Sequence, residues 1–271
     1  MNYLVNPNED FTYAYLVGND ASSDFHSLQA QLQRRMSHGI QALVSYTWGH
    51  SLDNASNESA SHLLAPQVDA KKDRASSDFD IRQTLSAAAT LQTPKRIRAR
   101  LISNWAVDAV VSVRTATPVD VTFTRDLGFG LYDFRPDLVS SEPLYVSDPN
   151  VAGGRRFNPA ALAFQSDYPG RQGTLGRNVL RGFPMRQANL SLRREFELPE
   201  HVKLEFRAES FNVTNTPAFG DPSGALLSAQ FGYSTRMLGR SFGRGGLNGG
   251  LNPLYQLGGP RSIQLAVRLV F

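Results

Sequence analysis

The 271-residue chain is 41% hydrophobic, contains 22 glycines, 15 prolines and no cysteine, and carries 28 basic against 24 acidic residues for a formal net charge of +4. The missing cysteines exclude disulfides, Cys-ligated zinc, iron–sulfur clusters and cysteine nucleophiles, and a basic excess this small and scattered leaves no footprint for nucleic acid. No run of about 18 apolar residues is present, which excludes a transmembrane helix.

Met1-Asn2-Tyr3-Leu4 and the polar residues 6–10 lack the basic start and apolar core of a signal peptide. The expectation is a cytosolic chain or one that begins part-way through a longer secreted protein. Along the chain, period-2 alternation recurs in runs of about ten residues, the pattern of strands with two unlike faces. Residues 11–17 predict a strand poor in polar partners. In residues 24–36, His26, Leu28, Ala30 and Leu32 alternate with Ser27, Gln29, Gln31 and Gln33. After the turn Ser37-His38-Gly39, Ile40, Ala42, Val44, Tyr46 and Trp48 alternate with Gln41, Leu43, Ser45 and Thr47. Two such runs joined by a short Gly-containing turn predict a β-hairpin.

Residues 81–92 predict a weaker strand with Leu85, Ala87, Ala89 and Leu91 in register. Residues 99–114 predict a longer one, with Leu101, Trp105, Val107, Ala109, Val111 and Val113 on one face. A short strand falls at 119–124. A second hairpin sets Ala188, Leu190, Leu192, Phe196 and Leu198 against Asn189, Ser191, Arg193 and Glu195. It turns at Pro199-Glu200-His201 and returns with Val202, Leu204, Phe206 and Ala208 against Lys203, Glu205, Arg207 and Glu209. The last run sets Ile263, Leu265, Val267, Leu269 and Phe271 against Ser262, Gln264, Ala266, Arg268 and Val270.

The connections are unequal. Residues 37–39 and 199–201 are tight turns, whereas 51–79, 115–185 and 214–260 read as long loops, and 239–250 is half glycine. Such loops are unusual in compact soluble domains. Short turns alternating with long loops fit an outer-membrane β-barrel. Strand length agrees: a tilted membrane strand needs about 9–11 residues, whereas globular strands peak near five or six. Apart from Arg194, near a strand end where it can snorkel, the apolar faces carry almost no charge. The opposite faces hold Asp108, Arg193, Glu195, Lys203, Glu205, Arg207 and Glu209, which suit a hydrated lumen.

Catalytic and ligand motifs are scarce. No nucleophile elbow or phosphate-binding Gly-Lys-Ser/Thr loop occurs, and the five histidines form no helical metal pair. His50, Asp53, Glu58 and His62 lie close enough along the chain to offer metal ligands; a polar extracellular loop is the preferred reading. Glu195, Glu197, Glu205 and Glu209 offer a glycosidase-like carboxylate pair, against which neutralised lumen charges are preferred. Tyr46, Trp48 and Trp105 fit an interfacial girdle in a barrel, or a core in a sandwich. Loop aromatics Phe129, Tyr132, Phe134, Tyr168 and Phe231 are read as loop packing before ligand contacts. Arg155, Arg156, Arg171, Arg177 and Arg181 form the largest basic cluster, readable as an anion or lipopolysaccharide phosphate site or as a solvated loop. The chain is not expected to be an enzyme or to hold a cofactor or metal.

A series of short motifs carries a resemblance. Residues 24–35 with Ser45-Tyr46-Thr47-Trp48 and Ser51-Leu52-Asp53-Asn54-Ala55 come first. Residues 73–82, Arg135-Pro136-Asp137-Leu138-Val139 and Phe157-Asn158-Pro159-Ala160-Ala161 follow. Then come Gly173-Thr174-Leu175-Gly176-Arg177-Asn178, Leu180-Arg181-Gly182, residues 206–212, residues 214–220 and Pro260-Arg261-Ser262-Ile263-Gln264. Their order over nearly the whole chain resembles the C-terminal barrel region of TonB-dependent receptors, most closely the Oar-like subfamily.

The resemblance implies an all-β fold: about eight to ten antiparallel transmembrane strands of a larger barrel of about 22, with short periplasmic turns and long extracellular loops. Residues 1–271 would be its C-terminal part, without plug domain or signal peptide, in the outer membrane of a Gram-negative-type bacterium. The family's activity is TonB-energised uptake of a bound ligand. Expected partners are outer-membrane lipid, the barrel-assembly machinery, an unidentified ligand, and TonB through an N-terminal part not in this chain. Ile263, Leu265, Val267, Leu269 and Phe271 resemble the outer-membrane assembly signal of barrel proteins. Two other readings stay open: a surface or adhesion protein binding through its long loops, and a soluble β-sandwich carbohydrate-binding module.

Overall fold

The computed structural model describes residues 21–56, 63–64, 73–93, 103–126, 131–139, 141–164, 171–199, 202–241 and 258–270. Seven long strands build one antiparallel sheet: β1 (Ser23–Ser37), β2 (Ile40–Asp53), β3 (Gln83–Gln92), β4 (Trp105–Arg114), β5 (Met185–Glu197), β6 (Lys203–Phe211) and β7 (Ser262–Val270). Their order in space is their order in the chain, and the two-residue strand Ala75–Ser76 adds to β2 as the eighth member. Chain neighbours become sheet neighbours because antiparallel strands need only a turn between them.

The first turn is tighter than its sequence predicts. Ser37 pairs with Ile40, so the turn itself is His38 and Gly39, and the register shifts just before it, between Arg34 and Ser37. His38 and Gly39 both have positive φ, 52° and 77°, the signature of a turn whose twist matches the strands it joins. A Cβ on Gly39 would lie 2.1 Å from the carbonyl oxygen of Gln92, so only glycine fits beside the neighbouring strand. Two strand boundaries also move. β4 starts at Trp105, after Asn104 at φ 63°, rather than at residue 99. β2 runs on to Asp53, beyond the expected start of the first long loop. The predicted strand 11–17, Leu101 and Phe271 lie outside the described residues.

Register makes the alternation collective. Leu32, Val44, Ala87, Val111 and Ala188 lie in one row across β1 to β5. Leu91, Val107, Leu192, Ala208 and Leu265 lie in another across β3 to β7. Every apolar series therefore falls on the same face. That face is bare: Leu32 is 71% exposed, Ile263 71% and Val267 68%. A soluble sandwich would cover it with a second sheet.

The strand ends are stepped. Followed through the pairing, Ile40 at the first turn sits level with Leu192, whereas the last turn closes five residues further along β5, where Glu197 pairs with Lys203. This stagger is what barrel curvature requires of tilted strands. Among the described residues β1 and β7 end the order and do not pair with each other.

The connections 38–39, 93–104 and 198–202 leave one end of the sheet, and the three long ones, 54–82, 115–184 and 212–261, leave the other. The long ones differ from the loops predicted for them: their described residues fold into a cap with its own core. Val119, Val121, Phe157, Ala161, Leu162, Leu175, Leu180 and Phe231 form one buried cluster. Short ladders frame it, including Tyr145–Ser147 on Arg155–Phe157 and Pro118–Val119 on Leu180–Arg181. The predicted strand 119–124 divides into Pro118–Val119 and Phe123–Asp126.

Candidate functional site

Two groups of polar residues stand out: the face of the sheet opposite the apolar one, and the seam between sheet and cap. On the polar face, β5 and β6 place Arg193 opposite Arg207, Glu195 opposite Glu205 and Ser191 opposite Glu209. Like charges facing each other directly are unfavourable, and the side chains turn instead along their own strand or diagonally to the next one. Arg207 lies 2.8 Å from Glu205 and 3.6 Å from Glu209, and Arg193 lies 3.1 Å from Asp108 on β4. Asp108 also accepts a hydrogen bond from the Thr90 hydroxyl at 2.7 Å. A hollow of about 390 Å³ opens among Asp108, Ser191, Arg193, Arg207 and Glu209. All six predicted charges, Arg193, Glu195, Lys203, Glu205, Arg207 and Glu209, share this face. The arrangement offers donors and acceptors of both signs to water or a polar ligand.

At the seam, three arginines of the cap meet four aspartates from residues 53–80. Arg177 lies 2.7 Å from Asp53 and 3.2 Å from Asp78, and donates to the Asp53 carbonyl at 3.0 Å. Arg135 lies 2.5 Å from Asp73 and 3.5 Å from Asp120. Arg181 donates to Asp80 at 2.8 Å. Arg135, Arg177, Asp53, Asp73 and Asp80 are all buried. A charge taken out of water costs several kcal/mol, roughly, unless paired, so each side fixes the other.

Asp80 is the most heavily served. Burial alone would raise its pKa, but bonds from the Ser51 N–H, Arg181, His50 and Arg82 outweigh that and hold its carboxyl at about 2. Asp120 goes the other way: burial raises its pKa, and Arg135 and the Asn178 N–H offset this only in part.

The motifs of the resemblance find their physical reasons here. Asn178, at φ 57°, donates to the Ser76 carbonyl and to Asp78, each at 2.7 Å. Asn158 accepts from the Ala160 N–H at 3.1 Å and caps the turn that Pro159 opens, while Phe157 enters the core. Gly173 passes so close to Pro136 that a Cβ would lie 2.1 Å from its carbonyl oxygen. Asn212 donates to the Thr216 and Gly259 carbonyls at 2.9 and 2.7 Å, tying the end of β6 to the start of β7.

Several sequence expectations change. The basic cluster is neither an open anion site nor a solvated loop. Arg177 and Arg181 are engaged as above, Arg171 pairs with Asp137 at 2.8 Å, and Arg156 lies 3.7 Å from Asp148. Arg155 donates to the Gly182 carbonyl and stacks 4.8 Å from the Tyr145 ring centroid. His50 faces Asp80 at 3.3 Å while Asp53 serves Arg177, so the two do not converge; Glu58 and His62 lie outside the described residues. Among the described residues no group of three His, Asp or Glu stands close enough to hold a metal. Tyr132, Phe134 and Phe231 are buried cap residues; Phe129 and Tyr168 fall outside the described residues, as does most of 239–250. Sequence reasoning missed the seam itself. Its one available signal was the clustering of Asp and Arg inside the motifs. Ile263, Leu265, Val267 and Leu269 occupy alternate positions on the apolar face of β7 and are exposed.

The model of a family described as "Outer membrane beta barrel domain" matches residues 2–245. No curated protein and no solved structure matches the chain.

Proposed function

We propose, from the premise that the chain belongs to the outer membrane beta barrel domain family and resides in the outer membrane, that it forms wall and outer surface of a TonB-dependent receptor of the Oar-like kind. The observation that carries this reading is the division of one sheet into a bare apolar face and a charged one, with every long connection gathered at one end. In a barrel the apolar face meets lipid and the polar face lines the lumen. The short turns then lie on the periplasmic side and the cap outside. Arg193, Glu195, Lys203, Glu205, Arg207 and Glu209 line a hydrated path for the transported ligand. Ile263, Leu265, Val267, Leu269 and Phe271 present the terminal strand to the barrel-assembly machinery. A sheet in lipid must satisfy its edges, so wall closure brings in strands beyond these seven.

The test is genetic. In the source bacterium, deletions of this chain and of TonB are compared, alone and together, for growth on a panel of limiting nutrients. Energised uptake predicts a shared defect that the double deletion does not deepen. An adhesion protein instead loses surface attachment and shows no nutrient defect in common with TonB.

A further inference from the structure

The hollow on the polar face is laid out in rows. On the cap side lie Val110 and Asn189, which pair across β4 and β5, and Phe211 at the end of β6. Next comes an acidic row, in which Asp108, Ser191 and Glu209 stand side by side on β4, β5 and β6. Two residues further toward the short turns follows a basic row, Arg193 beside Arg207. Alternate residues of a strand are about 6.6–6.8 Å apart, and that is the spacing between the acidic and basic rows. The charged groups are half-buried and keep capacity for a ligand. Arg193 meets Asp108 through Nε at 3.1 Å, and its two terminal nitrogens bond to no other described residue. Among the described residues Glu209 has only a terminal nitrogen of Arg207, at 3.6 Å. The Ser191 hydroxyl makes no hydrogen bond to a described residue.

The hollow's volume of about 390 Å³ falls at the small end of ligand pockets, about 300–1,000 Å³, and suits a small molecule rather than a folded chain or a long polymer. The acidic row takes a cation. The fork of Arg193 takes a carboxylate through two parallel bonds, and Val110 and Phe211 take an apolar group beside the cation. A molecule whose ammonium and carboxylate stand one row spacing apart fills both rows. In a free amino acid the two groups sit on one carbon, about 2.5 Å apart. An extended chain advances about 3.3–3.6 Å per residue, so two residues bring its termini to the spacing of the rows. We infer that this hollow binds a dipeptide, with its amino terminus on Asp108, Ser191 and Glu209, its carboxylate on Arg193 and Arg207, and its first side chain against Val110 and Phe211. The inference rests on the reading of this face as the path of a transported ligand and names the class of that ligand.

The test titrates the full 271-residue chain in detergent micelles with leucylglycine, free leucine, N-acetyl-leucylglycine and leucylglycinamide, with binding read by calorimetry. Leucylglycine should bind. The other three lack the spacing, the ammonium or the carboxylate, and each should bind about tenfold or more weakly, as the loss of a charged hydrogen bond implies. Arg193→Gln and Glu209→Gln should each weaken leucylglycine binding to a similar extent. Arg193→Gln should leave the affinity for leucylglycinamide unchanged, because that ligand has no carboxylate to lose. Equal binding of the blocked peptides, equal binding of free leucine, or no binding of leucylglycine by the wild type would each overturn the dipeptide site. A growth defect shared with TonB would then still stand for uptake of another ligand. Leucylglycine binding without any defect shared with TonB would keep the site and overturn the transport reading.

Discussion

In the sheet, Leu32, Ile263 and Val267 keep about 70% of their surface open; in the cap, Phe134, Phe157 and Leu180 keep 1%. The two regions share one chain and one strand chemistry, yet they are made for different solvents. The cap hides its apolar side chains from water among its own segments, as a soluble domain does. The sheet collects its apolar side chains on a surface that its own fold leaves uncovered, which is costly in water and favourable in lipid. The polar groups invert in the same way. In the cap the strongest charges are buried and matched by opposite charge, whereas in the sheet they stand half-exposed in a shared ladder. The seam of Arg135, Arg177 and Arg181 with Asp73, Asp53 and Asp80 is where one regime passes into the other.

That contrast can be broken from either side. The largest effect is expected at the seam. Arg177→Ala leaves Asp53 buried without its cation, a loss of about 3–5 kcal/mol. It should loosen the cap while the sheet persists, seen as faster amide exchange and proteolysis confined to residues 115–182. Equal loss of protection across β1 to β7 would show that the two regions fold as one unit.

From the other side, Leu190→Arg puts a charge in the middle of the lipid-facing band, at a cost of about 2–4 kcal/mol. Denaturant titration of membrane-assembled protein should register that loss. On a water-facing sheet the same exposed substitution would fall within about 0.5 kcal/mol of neutral.

Acid sharpens the comparison next. The Asp80 carboxyl is held at about 2, below its ordinary 3.8, so its contribution is present above pH 3.8 and is lost as pH falls toward 2. The shift corresponds to about 2 kcal/mol. Amide exchange near Ser51 and Ser77 should rise through that window, and Asp80→Asn should remove most of the pH dependence. The smallest effect is expected at the chain end: deleting Phe271 in a receptor carrying this barrel should lower the amount assembled in the outer membrane without altering the cap. Unchanged surface levels would remove the assembly role of the terminal strand.

The strands were readable because their signal is local. Leu101 apart, the alternating apolar series of residues 99–114 reappears intact in β4, and those of 188–198 and 202–209 reappear in β5 and β6 save for Leu198 and Val202, which fall just beyond the strand ends. A period of two is written in consecutive residues and survives any tertiary arrangement. The charges Arg193 to Glu209 were placed on one face for the same reason. The seam was not readable: Arg177 meets the Asp53 carbonyl across 124 positions of chain, and no local pattern encodes so distant a pairing. The cap core was missed likewise, because Phe157 and Phe231 sit in stretches too short and too rich in Pro and Gly to show a period.

The sequence by itself determined the class of the protein. Alternation long enough to cross a bilayer, tight turns opposite long connections, and an almost uncharged apolar face follow from residue order alone, since side chains on a strand point alternately to its two sides. Only the tertiary structure decided that seven strands share one register, that the long connections close into a cored cap, and that the arginines read as an exposed basic cluster are spent on aspartates. Register, burial and ion pairing depend on which distant segments meet, and that is settled when the whole chain chooses between water, lipid and its own interior.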